Sequence, residues 1–209
     1  MSISQNPLTG EMKNSMANFI TTTCGDKNVI RAKAFNPRNA NTSSQKIQRA
    51  CFKLILEEYH SLGGITKVGF PEKTVNKSSY NLFVQANLPG AVNTTGALPV
   101  IDYSKLQVAK GSLPNVVVAS ATTTATGINV SYRTNLQIPM VAATDEVVAF
   151  AKTKIGEMLI ARQPRGIIAM NTILISSPGI APDDVECCYV FVLSNDGKKA
   201  SKSVYTVID

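Results

Sequence analysis

The residues able to do chemistry are few, and their spacing argues against most reactions. The single histidine, His60, stands three residues after Glu57. That is the one pairing of acid and imidazole in the sequence, and a solvated helix terminus accounts for it without chemistry. Asp183, Asp184 and Glu186 cluster in APDDVE but lack the alternating oxygen ligands and glycine of a calcium loop. Cys24, Cys51, Cys187 and Cys188 contain no CxxC pair, and the adjacent Cys187 and Cys188 would face opposite sides of a strand. They read as small apolar core residues of a chain made in a reducing compartment, so a cytoplasm is the expected site of synthesis. No serine elbow, phosphate loop or dinucleotide fingerprint is present. The expectation is a non-enzyme with no cofactor, no metal and no catalytic residue.

What remains is charge. The 209 residues carry a formal net charge of +7, and all of it can be placed in one stretch. Lys27, Arg31, Lys33, Arg38, Lys46, Arg49 and Lys53 fall between positions 27 and 53 with no acid among them. Such a run can be a solvated face, can dock on an acidic surface of a neighbouring subunit, or can follow a phosphate backbone. With only Phe35 and Phe52 as aromatics in the stretch, no base-stacking platform is evident.

These cations need elements to hold them. Residues 15–34 contain two β-rich runs, about 16–23 and 28–34, around Gly25-Asp26-Lys27-Asn28, which predicts a hairpin. Phe19, Ile20, Val29 and Ile30 would form a sheet shared with a neighbour. FNPRNANTSS follows, and Pro37 with its asparagines predicts an extended basic arm. Thr42-Ser43-Ser44-Gln45 has capping-box spacing, so a helix should begin near Ser43 and stop at Gly63-Gly64. Ile47, Ala50, Cys51, Leu54, Ile55, Tyr59 and Leu62 give that helix one apolar stripe, with Lys46, Arg49 and Lys53 on another face. A second helix is predicted over 74–87, ended by Pro89-Gly90. This N-terminal region, 1–92, buries too little by itself and should complete its core on the rest of the chain or on another copy.

Beyond the linker NTTGALP the pattern turns to short β runs: 100–111, 115–123, 128–134, 145–153, 155–162, 166–176, 185–194 and 203–209. That spacing predicts an Ig-like or fibronectin-like β-sandwich over 93–209, giving a mainly β, α+β chain. Hydrophobic content of 44% supplies a core. No window reaches the roughly 20 apolar residues of a membrane helix, so membrane insertion is not expected.

The stretch GDKNVIRAKAFNPRNANTSSQKIQRACFKLI, the step Val68-Gly69-Phe70, and Ile101-Asp102-Tyr103-Ser104-Lys105 with Gly111-Ser112-Leu113-Pro114 together resemble an uncharacterised family abundant in Bacteroidota genomes and their phages. The resemblance implies a phage or mobile-element context and an Ig-like C-terminal domain; it carries no catalytic residues. The expectation that follows is a non-enzymatic structural or assembly protein of a bacteriophage virion or phage-like particle, in its capsid or tail. It would form homo-oligomers and contact other particle proteins through the hairpin and basic arm. The alternative is a nucleic-acid-binding protein that lays the same arm along phosphates.

Overall fold

A computed structural model describes residues 14–16, 18–24, 27–34, 36, 39–72, 77–96, 98–134, 137–167 and 169–208, the backbone alone at 14–16, 23–24 and 27–28. The fold is mixed α/β and mostly strand. The chain divides into two compact units, Met1–Ser43 with Thr74–Asn76, and Ser44–Lys73 with Lys77–Asp209. Residues 92 and 93, where the sequence suggests a boundary, both lie in the second.

The first unit holds an antiparallel sheet of β1 (Asn14–Met16), β2 (Phe19–Cys24) and β3 (Lys27–Ala32), in that order. The hairpin predicted over 15–34 is β2–β3, paired from Phe19↔Ala32 to Cys24↔Lys27, and β1 adds a third strand beside β2. The chain then leaves regular structure, with Asn36 and Asn41 at φ 52° and 48°, a conformation asparagine tolerates better than most side chains.

In the second unit the helices come first: α1 (Ser43–Ser61, its first residue in the other unit), α2 (Gly64–Gly69) and α3 (Ser79–Asn87). β4 (Val92–Asn93) and β5 (Val100–Ile101) form a small antiparallel ladder across the expected linker. Then follow β6 (Val117–Thr124), β7 (Gly127–Arg133), β8 (Glu146–Thr153), β9 (Met158–Pro164), β10 (Met170–Ser176), β11 (Val185–Leu193) and β12 (Val204–Thr206). They make two antiparallel sheets, ordered β10-β7-β6 and β12-β11-β8-β9.

The sequence of β8 and β11 explains the layering. The central run VVAFA of β8 and all of VECCYVFVL but Glu186 are apolar, and a strand that is apolar on both faces is buried on both. Val148, Phe150, Tyr189 and Phe191 share one buried cluster with Ile55, Leu62, Ile65, Phe70 and Phe83 of the helical segment. Val147, Ala149, Ala151, Val190 and Val192 share the other with Ile128, Val130, Tyr132, Ile173 and Ile175 of β7 and β10. Cys187 and Cys188 point to opposite faces, one into each cluster.

α1 ends at Ser61, before Gly63-Gly64, as the sequence predicts. Gly64 then starts α2, whose Gly69 lies so close to Val108 and Ala109 that any Cβ would overlap them. Two local expectations are corrected. The second helix begins at Ser79 with Ser78 as its N-cap, accepting from the Asn81 N–H; residues 74–76 of the predicted start lie outside the described residues. The strand predicted over 100–111 stops after Ile101. Asp102 folds back to accept the Ser104 N–H at 3.1 Å, and the backbone that follows bonds to Gly69, Ser203 and Ala200 rather than to a ladder.

Candidate interaction surface

The three-stranded sheet of the first unit presents apolar side chains on both faces. Alternation places Phe19, Thr21, Ile30 and Ala32 on one face, and Ile20, Thr22, Val29 and Arg31 on the other. Phe19 is 54% exposed and Ile30 61%, on the first face; Val29 is 42% exposed on the second, beside a half-buried Ile20. Thr21, between Phe19 and Ile30, is buried. Arg31 and Lys33 are exposed, and the Lys33 N–H closes the hairpin by donating to the Asn18 carbonyl at 2.7 Å. Of the other expected contacts, Arg38 lies outside the described residues, and Lys27 is described by its backbone alone.

The remaining expected cations sit on α1. Helical spacing puts Lys46, Arg49 and Lys53 opposite the buried line of Cys51, Ile55, Glu58 and Leu62, and all three are exposed. Lys53 pairs with Glu57 across one turn at 3.7 Å, with both side chains largely in water. The predicted apolar stripe is only partly covered: Ile47 is exposed, as are Phe52 and Leu56, which flank the cations. Glu58 takes a place on the buried side that periodicity assigns to an apolar residue.

That glutamate belongs to a cluster that sequence reasoning missed. Lys152, deep in β8, donates to Glu58 Oε1 and Oε2 at 3.1 and 3.2 Å and pairs with Glu186 Oε2 at 2.9 Å. Its Nζ also lies 3.4 Å from the Tyr103 hydroxyl and 5.4 Å from the centre of that ring. Tyr189 donates to the Tyr103 carbonyl at 2.7 Å. Both the Lys152 and Glu58 side chains are 8% exposed. Burial by itself would lower the Lys152 pKa, but the hydrogen bonds it donates to Glu186 and Glu58 outweigh it and hold the ammonium well above its ordinary range. Burial, then the Glu58 charge, pushes the Tyr103 hydroxyl above its own. Burial raises the Cys187 and Cys188 thiols to about 12, so neither is a ready thiolate. The cluster fastens α1, the IDYSK segment, β8 and β11 together. The lone lysine in the apolar run EVVAFAKT was the one signal that could have found it.

The other chemistry-bearing residues stay apart. His60 is exposed near the end of α1, its ring edge-on to Tyr59. Asp183 and Asp184 lie in a 3-10 turn, Pro182–Asp184, where the Asp184 carboxylate accepts the Ala181 N–H at 3.1 Å. Among the described residues no group of three or more His, Cys, Asp or Glu side chains is placed to hold a metal ion. No described helix is long and apolar enough to cross a membrane.

Residues 11–207 match a family model described as a family of unknown function, DUF6266. No curated protein and no solved structure matches the chain.

Proposed function

Because the chain belongs to the DUF6266 family, whose description names no activity, we propose its role from the geometry: a non-enzymatic building block of a repeating assembly. The observation that carries this reading is the pair of apolar faces on the β1–β3 sheet. A three-stranded sheet needs a packed face for stability, and here Phe19, Ile30 and Val29 remain open to water. Covering them with a neighbouring subunit would complete that core, with Arg31 and Lys33 at its rim. The particle is proposed to be a bacteriophage virion or a phage-like assembly, on the resemblance of the basic arm and the IDYSK segment.

The second unit is read as an Ig-like, fibronectin-like sandwich carrying helices on one outer face. Support comes from the division of seven strands into three and four, with one apolar cluster contributed by both sheets. Such a fold serves as a scaffold for many functions and fixes none of them.

Sedimentation of the purified chain over a range of concentrations tests the reading. Wild type should assemble, while Phe19→Asp with Ile30→Asp, or a chain lacking residues 1–41, should not. Unchanged assembly by both variants would refute it. The nucleic-acid alternative draws on the same exposed cations, Arg31, Lys33 and Lys46. It requires a gel shift whose log–log salt slope is about −5 for roughly six neutralised phosphates.

A further inference from the structure

The second unit carries both a basic–apolar helix face and an acidic–apolar groove. Lys46, Arg49 and Lys53 point away from the sheet on which α1 is packed, flanked by exposed Phe52 and Leu56. At the connection between β8 and β9 a cavity of about 320 Å³ opens between residues 153–157 and 177–184. Its apolar lining comes from Ile155, Pro178 and Ile180, and Ile155 is 83% exposed, the largest value among the exposed large apolar side chains. Glu157 and Asp184 line the same cavity, and Asp183 is exposed next to it, against the single cation Lys154. The turn is firmly built: Thr153 Oγ1 accepts the Glu157 N–H at 2.9 Å, and the Lys154 N–H donates to the Asp184 carbonyl at 2.8 Å. Ile155 is therefore held outward by a fixed frame rather than left on a loose loop.

We infer that the outward face of α1 in one molecule docks in the β8–β9 groove of a second copy, with Lys46, Arg49 and Lys53 against Glu157, Asp183 and Asp184, and Phe52 against Ile155. This rests on the building-block reading and adds a second contact to it, made by the second unit. Two observations select a second copy as the occupant. The charges are complementary between two surfaces of one chain, and each surface places apolar side chains beside those charges. The helix face is turned away from its own sheet, so the contact is between molecules. Two different patches joined in this way form a head-to-tail interface, which closes into a ring or continues as a filament.

Reciprocal charge reversal provides the test, using full-length chains. One variant carries Lys46→Glu and Arg49→Glu; the other carries Glu157→Lys and Asp183→Lys. Asp184 is left alone because its carboxylate caps the 3-10 turn. In sedimentation velocity each variant alone should show self-association weakened by about tenfold or more. An equimolar mixture should recover it, since each reversed face then meets an opposite one, and that recovery also shows that both variants are folded. If wild type associates but neither variant weakens, or the mixture fails to recover, the inference is overturned while the building-block reading stands. A wild-type chain that stays monomeric at every concentration overturns both. Loss of DNA retention in the first variant without recovery on mixing would assign the helix face to nucleic acid and overturn the inference.

Discussion

The β8–β11 pair and the β2–β3 pair are both antiparallel ladders rich in strand-forming residues, yet their surroundings differ. In β8 and β11 nearly every side chain is buried, one face against the helices' apolar residues and the other against β7 and β10. In β2 and β3 the apolar residues come as adjacent pairs, Phe19-Ile20 and Val29-Ile30, among Thr, Asn, Lys and Arg, and Phe19, Val29 and Ile30 stay in water. Strand propensity makes both ladders; only the apolar runs of the second unit recruit a layer to each face. The difference separates a region whose apolar side chains are buried within the fold from one whose apolar side chains stay open to water.

Substitutions should divide along the same line. Lys152→Met leaves the buried Glu58 and the half-buried Glu186 without their cation. It should cost about 3–5 kcal/mol of stability, read as a lower denaturant midpoint. Gly127→Ala comes next: the residue sits at φ 143° and an added Cβ would fall 2.1 Å from the Ile175 carbonyl oxygen, so a loss of about 1–3 kcal/mol is expected in thermal unfolding. Phe19→Asp should change the unfolding free energy of the second unit by less than about 0.5 kcal/mol while abolishing assembly in sedimentation. If it unfolded the second unit instead, the contrast between the regions would fail. Lys53→Ala removes an exposed pair in its weaker orientation and should shift stability by only a few tenths of a kcal/mol.

The covered region also has a pH signature. Lys152, Tyr103 and Tyr189 keep their protons above their ordinary ranges in the folded protein, and Cys187 and Cys188 do so up to about 12. As pH rises the unfolded chain therefore releases protons first, and stability falls. Urea midpoints should be level from neutral pH to about pH 7.5, where all of these groups are protonated in both states, and decline above it. A midpoint that rises between pH 9 and 11 would contradict the assignment.

Local chemistry was legible where a few neighbouring residues decide the outcome. The start of α1 at Ser43, the β2–β3 pairing and the strands from β6 onward follow from short-range spacing and alternation. The start of α3 and the loop after Ile101 were not, because Ser78 and Asp102 each bond a backbone N–H that regular pattern-reading leaves out. Least legible was the cluster of Glu58, Tyr103, Lys152 and Glu186. Its members are far apart in sequence, and Glu58 occupies a helix face that periodicity reserves for apolar residues. Of the proposed contacts, Phe19, Val29 and Ile30 were found by strand pattern alone, whereas Ile155 and the groove around it depend on how residues 153–157 and 177–184 meet.

The central claim is that the β1–β3 sheet gains its order from a neighbour, and hydrogen exchange over residues 14–34 measures it most directly. Protection there should be low at nanomolar concentration and rise as the chain assembles, while β8 and β11 stay protected throughout. Full protection of residues 14–34 in the dilute monomer would contradict the account.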